Sequence, residues 1–121
     1  IGWKPTRETA RALGDALPAL AQSAKVTVVT VNPERGSDAE AGIPAADITL
    51  HLARHGIRAE ATTTIADDIA TADALLNYVA DCAADMIVMG GYGHTRAREA
   101  IFGGVTRQIL QHMTVPVLMA H

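Results

Sequence analysis

The sequence predicts an α/β fold, an open parallel sheet with helices on both faces, and three observations support this prediction. Short apolar runs rich in β-branched residues alternate with stretches whose apolar residues recur at helical spacing. The run 26–31 has apolar residues at both parities, which is typical of a strand covered on both faces. With 121 residues and 49% apolar content, the chain suits one domain, residues 1–121. Right-handed crossovers then place the successive strands side by side in parallel.

Five strands separated by four helices are predicted. The strands cover residues 1–3, 26–31, 57–64, 86–89 and 115–119. The third is the most polar and the fifth contains Pro116, so both are expected at or near a sheet edge. Ligands of such sheets bind at the carboxyl ends of strands, where the winding reverses. If the first and fourth strands are neighbours, the residues that follow Trp3 and Met89 line one crevice.

Capping residues and apolar spacing mark the four helices. Thr6 is expected to cap the first helix, which Pro18 should kink without breaking, and Thr71 is expected to cap the third. Gly56 suits the position just after the second helix. Cys82 lies on the apolar stripe of the third helix and is expected to be a buried, inert thiol. The last helix is expected to bury one stripe, formed by Val105, Ile109 and Met113.

The composition excludes several classes of function. The formal net charge is −3, from 10 Lys and Arg against 13 Asp and Glu, which argues against a general nucleic-acid binder. No apolar run approaches the roughly 18 residues of a membrane span. The single cysteine cannot form an internal disulfide, which fits a reducing, cytoplasmic location.

A glycine-rich stretch is the most informative part of the chain. The fourth strand runs into Gly90, Gly91 and Gly93, and the pair Gly103–Gly104 precedes the last helix. Such a loop can bring main-chain N–H groups close to an anion, although this spacing matches neither the GxGxxG nor the Walker A pattern. The alternative is that the glycines only permit tight turns and close packing of a helix on the sheet.

The residues around these glycines have two interpretations each. His94 and two arginines lie between the two glycine clusters, where they could grip phosphate oxygens or form a solvated basic loop. Trp3, Tyr92 and Phe102 fall near the predicted crevice. Trp3 could stack on a base or fill the same space as core, and Phe102 is expected to anchor the loop.

Two pairs of polar residues have spacings that can hold a metal ion. His51 and His55 are four residues apart on a helix, and Asp67 and Asp68 are adjacent acids. The two histidines have no third ligand or general-base Glu and are expected to be a surface pair, and the two acids are expected to lie in a solvated loop before a helix. We therefore predict no metal site. No arrangement of a nucleophile with a base can be argued from spacing either, so we predict no catalytic residue.

The glycine-rich stretch resembles the signature of the universal stress protein family. That signature is Gly, two residues, Gly, nine residues, Gly and then Ser or Thr, and here it corresponds to Gly90, Gly93 and Gly103. The segment 113–118 is similar to the closing strand of the family, and the segment 3–8 resembles its first strand, turn and helix. The resemblance covers nearly the whole chain. The combination of Trp3 with the segment 103–107 is most similar to the C-terminal half of tandem members.

The resemblance implies an adenine nucleotide α-hydrolase-like fold with five parallel strands in the order 3-2-1-4-5. It also implies an adenine-nucleotide-binding protein of stress response or signalling. The ligand would be ATP or AMP, with or without Mg²⁺, and hydrolysis would be slow or absent. The partner would be a second copy or a tandem twin, paired through the last strand, from Val115 to Met119.

Residue by residue, the resemblance implies a nucleotide site in which glycine N–H groups hold the phosphates, while Val31 and Met89 contact the rest of the ligand. The predicted site comprises Gly2, Trp3, Lys4, Val31, Met89, Gly90, Gly93, His94, Gly103, Gly104, Val105 and Thr106.

Two positions depart from the ATP-binding pattern. Lys4 stands where the family has an acid, and Gly104 stands where it has Ser or Thr. The second change removes one hydroxyl donor but keeps the main-chain N–H, so it should weaken binding rather than abolish it. The alternative hypothesis is therefore a dimerisation or scaffold domain of the same fold, whose pocket is plugged by Trp3 and Lys4.

Overall fold

The computed structural model describes residues 1–32, 45–91 and 104–121, and this part of the chain contains four helices and four strands. The helices are α1 (Arg7–Leu20), α2 (Ala46–Arg54), α3 (Thr71–Asp81) and α4 (Gly104–His112). The strands are β1 (Val26–Val31), β2 (Ala59–Thr64), β3 (Ile87–Gly90) and β4 (Val117–Ala120). Helices and strands alternate, as the sequence predicts.

The strands form two parallel pairs, β1 with β2 and β3 with β4. The main chain around Gly2 lies between the pairs, because Gly2 forms parallel bridges to both Val29 of β1 and Met89 of β3. The Gly2 amide donates to the Val88 carbonyl at 2.9 Å, and the Trp3 amide donates to the Val29 carbonyl at 2.8 Å. The predicted first strand is therefore reduced to isolated bridges, and the five-strand order 3-2-1-4-5 remains a prediction.

Two apolar cores lie on opposite faces of the strands. Val28 and Val88 pack with α1 and α2, together with the half-buried Trp3. Val29 and Met89, which have the opposite parity, pack with α3 and α4. The alternation of β-strand side chains thus divides each strand between two layers of helices, which confirms an α/β fold with helices on both faces.

The helix signals are confirmed at two positions and wrong at a third. The Thr6 hydroxyl accepts the Thr9 amide at 3.3 Å and caps α1, which continues through Pro18 to Leu20. Gly56 follows the C-cap of α2 with a φ of 74°, a conformation that glycine adopts readily. Thr71 is the first residue of α3 rather than its cap, and the cap residue Ala70 has no side chain that could accept the hydrogen bond.

Two predicted apolar stripes are only partly correct. Cys82 is exposed, because α3 ends at Asp81 and Cys82 caps its carboxyl end, beyond the buried Leu75 and Val79. In α4 only the middle of the predicted stripe is covered. Ile109 is fully buried, whereas Val105 and Met113, at the two ends of this short helix, are 37% and 46% exposed.

Within the described ranges, β2 pairs only with β1 and β4 only with β3. Pro116 lies just before β4 rather than inside it, and its carbonyl accepts the Ile87 amide at 2.9 Å. None of the helices in the described ranges is both long enough and apolar enough to cross a membrane.

Candidate functional site

The structure brings the first group of predicted site residues together at the carboxyl edge of the strands. Gly2 lies between β1 and β3, and the chain leaves this edge through Trp3 and Lys4. Val31 is the last residue of β1 and Gly90 is the last residue of β3. Because β1 and β3 both run parallel to the segment at Gly2, these five residues share one edge of the sheet.

The first turn of α1 lies directly against Gly90. A Cβ atom added to Gly90 would come within 2.6 Å of Thr9 Oγ1 and 2.7 Å of the Thr9 main-chain nitrogen. These distances are shorter than van der Waals contact, so only glycine fits here without movement of α1. The absence of a side chain at Gly90 therefore permits the close packing of α1 on β3. This is the role that the alternative interpretation of the glycines, close packing of a helix on the sheet, predicts.

Gly91 is enclosed from another direction. An added Cβ would lie 2.7 Å from both Cγ and Sδ of Met119, and the Gly91 amide donates to the Ala120 carbonyl at 2.7 Å. The N–H group of Gly91 is thus already used by β4. A ligand at this edge would have to be held by other main-chain groups.

The N-terminus of α4 has a different environment. A Cβ added to Gly104, the first residue of α4, would meet no atom within 4 Å among the described residues outside its own helix. Gly104 and Val105 are exposed, and Thr106 is buried. Because β3 and β4 are parallel, the intervening α4 runs antiparallel to them, so its N-terminus lies toward the carboxyl edge. The predicted site residues Gly93, His94 and Gly103, together with Tyr92 and Phe102, lie outside the described residues.

Trp3 and Thr30 carry buried polar atoms without hydrogen-bond partners. Trp3 is half-buried against the core formed with α1 and α2, and Thr30 is 5% exposed. Neither Trp3 Nε1 nor Thr30 Oγ1 has a partner in the part of the chain described here. The sequence pattern did not single out Thr30, because β1 contains a second threonine, Thr27, among its valines.

Asn32 fixes the end of β1 to the loop that follows β2. Its Nδ2 donates to the Ala66 carbonyl at 2.9 Å, and its Oδ1 accepts the Ala66 amide at 2.7 Å. Asn32 has a φ of 46°, a left-handed conformation that asparagine tolerates better than most residues. This pair of bonds holds Val31 and the edge of the site in place. The signal for it was an asparagine directly after a strand.

Two further predicted contacts differ in their exposure. Met89 is 6% exposed and packs in the core formed with α3 and α4, beside Gly2. Val31 is half-buried at the edge itself. Val31 is therefore accessible to a ligand at this edge, whereas Met89 is a core residue packed beneath the candidate site.

The two pairs with metal-binding spacing, His51 with His55 and Asp67 with Asp68, are not joined by further ligands in the part of the chain that the structure describes. Among the described residues, no group of three or more His, Cys, Asp or Glu side chains could hold a metal ion. His51 lies on α2 and His55 is the residue that caps its carboxyl end. Both are exposed, and their ring centroids lie 4.8 Å apart with tilted planes. Asp67 and Asp68 are also exposed.

A cavity of about 410 Å³ opens toward the other edge of the strands, and Gly2 is the one predicted site residue in the described ranges that lines it. The Ile1 main-chain nitrogen lies in it and donates to the Thr27 carbonyl at 2.7 Å. The walls combine apolar side chains, including Leu20, Leu75 and Val79, with polar ones, including Gln22 and Asp85.

Comparison with known proteins identifies the family. The family model described as the universal stress protein family matches residues 4–121. The chain belongs to the universal stress protein family. A curated relative, universal stress protein Slr1230 from Synechocystis, is 39% identical over 46 residues. That alignment spans 38% of this chain and 16% of the relative.

Solved universal stress protein structures share the fold. A universal stress protein from Archaeoglobus fulgidus has a TM-score of 0.72 at 22% identity, over 98% of this chain and 93% of that protein. UspA from Lactobacillus plantarum has a TM-score of 0.78 at 13% identity, over 100% and 94%. A universal stress protein solved in complex with cAMP has a TM-score of 0.72 at 20% identity, over 100% and 93%.

Proposed function

We propose that this universal stress protein domain binds an adenine nucleotide, ATP or AMP, at the carboxyl edge of the strands. The observation that carries the proposal is the exposed start of α4, where a Cβ added to Gly104 would meet no atom within 4 Å among the described residues outside its own helix. The first N–H groups of a helix lack partners within the helix and attract phosphate. The cAMP complex of a protein with the same fold supports the choice of an adenine nucleotide.

The residues at the edge fit an anionic ligand with a neutral base. Lys4 and Val31 lie at the same edge, one exposed and charged and the other half-buried and apolar. Lys4 would attract phosphate where the family pattern has an acid, and Val31 would contact the base or ribose. We propose no protein ligand for Mg²⁺. The ion would therefore bind at this site only as part of the Mg²⁺–ATP complex, through the phosphates.

The function that follows is nucleotide sensing in stress response or signalling, in the cytoplasm, with slow hydrolysis or none. No residue is proposed as a catalytic base. Isothermal titration with ATP and Mg²⁺ tests the proposal, and we expect saturable heat at micromolar to millimolar nucleotide. The absence of binding heat at millimolar ATP and AMP would contradict the proposed nucleotide binding.

A second candidate is a pairing domain that binds no nucleotide, with the base pocket plugged by Trp3 and Lys4. Two observations favour it. Gly90 and Gly91 are already enclosed by Thr9 and Met119, and Trp3 packs against the core. This hypothesis predicts that Trp3→Ala opens a pocket and gives new affinity for adenosine. If a folded Trp3→Ala protein still does not bind adenosine, Trp3 does not plug the base pocket.

Under both candidates we propose pairing through β4, either with a second copy or with a tandem twin. All four residues of β4 are only half-buried, and Leu110 and Met113 of the preceding segment are 42% and 46% exposed. Analytical ultracentrifugation of the wild type and of Met113→Glu tests this contact. A monomeric wild type at high micromolar concentration would exclude a homodimer and leave only the tandem arrangement.

A further inference from the structure

Trp3 and Thr30 are neighbours on one face of the sheet. The parallel bridge between Gly2 and Val29 places Trp3 opposite Thr30, one residue further along both segments. An added Cβ on Gly2 would point at Leu75 of α3, so the next side chain, Trp3, points to the other face. Thr30 has the same parity as Val28, which packs in the core with α1 and Trp3. Both side chains therefore project from adjacent segments toward the same layer.

Each of the two carries a buried polar atom. Trp3 Nε1 and Thr30 Oγ1 have no hydrogen-bond partner among the residues that the structure describes. Buried polar groups in folded proteins are nearly always paired, and an unpaired one needs an explanation such as a ligand. The two residues lie opposite each other on adjacent segments, next to the edge where a ligand is proposed, which suggests that one molecule satisfies both.

We propose that Trp3 Nε1 and Thr30 Oγ1 recognise the polar edge of the purine base, an inference that rests on the proposed nucleotide-binding function. An indole N–H can only donate, so the ligand must offer an acceptor there, whereas a hydroxyl can donate or accept. Adenine offers a ring-nitrogen acceptor beside an amino donor. The pair therefore selects the base and contributes nothing to phosphate binding, which the N-terminus of α4 would supply.

Both atoms are buried, so we expect base binding to require the indole to turn. Trp3 retains part of its surface exposed, and its main chain is held by the bond from its amide to Val29. We therefore expect the side chain to rotate while the main chain stays in place. Trp3 is the only tryptophan in the chain, so its fluorescence reports this movement without interference.

The experiment compares the wild type with Thr30→Val, Thr30→Ser and Trp3→Phe. Each protein is titrated with ATP, with adenosine, which lacks phosphates, and with inorganic tripolyphosphate, which lacks the base. We expect Thr30→Val and Trp3→Phe to weaken ATP and adenosine binding by about three- to ten-fold, the effect of one neutral hydrogen bond. Tripolyphosphate binding should be unchanged. Thr30→Ser keeps the hydroxyl and should bind all three ligands as the wild type does.

The outcomes separate this inference from the proposed function. Wild-type binding of ATP that is unchanged in Thr30→Val and Trp3→Phe, with constant tryptophan emission, would overturn the inference and leave the function standing. A wild type that binds no ATP would overturn both. Thr30→Val removes an unpaired buried hydroxyl from a strand, so we expect it to fold and to resist urea at least as well as the wild type. A marked loss of stability would show that the hydroxyl is paired within the protein and would also overturn the inference.

Discussion

Thr9 lies so close to Gly90 that a Cβ on Gly90 would come within 2.6 Å of the Thr9 hydroxyl oxygen. That hydroxyl is itself 3.1 Å from the Thr6 hydroxyl, which caps α1. The start of α1 and the end of β3 are therefore in direct main-chain contact, at the edge of the sheet where we place the ligand.

The first prediction concerns this contact. Gly90→Ala should lower the free energy of unfolding by about 1–3 kcal/mol, because the new Cβ overlaps the main chain of α1 and forces it to move. Urea denaturation followed by circular dichroism measures the change. Gly104→Ala is the matched control, because its Cβ enters open space at a helix start, where alanine should be neutral or stabilising by less than about 1 kcal/mol. Equal stability of the two variants would contradict the contact.

The second prediction concerns the bonds between Asn32 and Ala66. Asn32→Gly keeps the left-handed conformation but loses both hydrogen bonds, and should cost about 1–2 kcal/mol of unfolding free energy. Asn32→Ala also loses the conformational preference, so it should be less stable than Asn32→Gly. Amide hydrogen exchange at Ala66 gives an independent measurement, and it should be faster in both variants. Unchanged exchange at Ala66 would show that other contacts fix this loop.

The third prediction restores a hydroxyl to the proposed phosphate site. Gly104→Ser places a donor at the first residue of α4, in space that is open, so folding should be unaffected. If the N-terminus of α4 holds phosphate, one added neutral hydrogen bond should tighten ATP binding by about three- to ten-fold. Isothermal titration measures the change, with Gly104→Ala as the control for the loss of glycine. Identical affinities of the serine and alanine variants would place the phosphates elsewhere.

The fourth prediction corrects the expected behaviour of Cys82. Because Cys82 is exposed at the end of α3, it should react with a chromogenic disulfide reagent in the native protein. Its Sγ lies 3.7 Å from the Val79 carbonyl, a weak contact that should not prevent the reaction. The reaction rate is compared in buffer and in urea. A thiol that reacts only after unfolding would restore the buried interpretation.

The sequence by itself determined the order of the four helices and of four of the five predicted strands, and the bounds of those strands to within a few residues. Helical spacing, the Thr6 cap and Gly56 are local signals, because a helix start or end depends mainly on the residues within one turn of it. The run in β1 indicated a strand covered on both faces, since its apolar residues occupy both parities. The glycine spacing and its flanking strand and helix also led to the correct family.

Only the tertiary structure decided what the individual residues do. Gly90 and Gly104 have the same chemistry, yet one touches the main chain of α1 and the other faces open space. Cys82 followed the apolar spacing of α3 but lies just beyond its end, where nothing covers it. Thr30 and Trp3 became candidates only when two separate segments placed them opposite each other, each with a polar atom that is unpaired among the described residues. Spacing along the chain determines which face a residue occupies, whereas contacts between distant segments determine what it meets there.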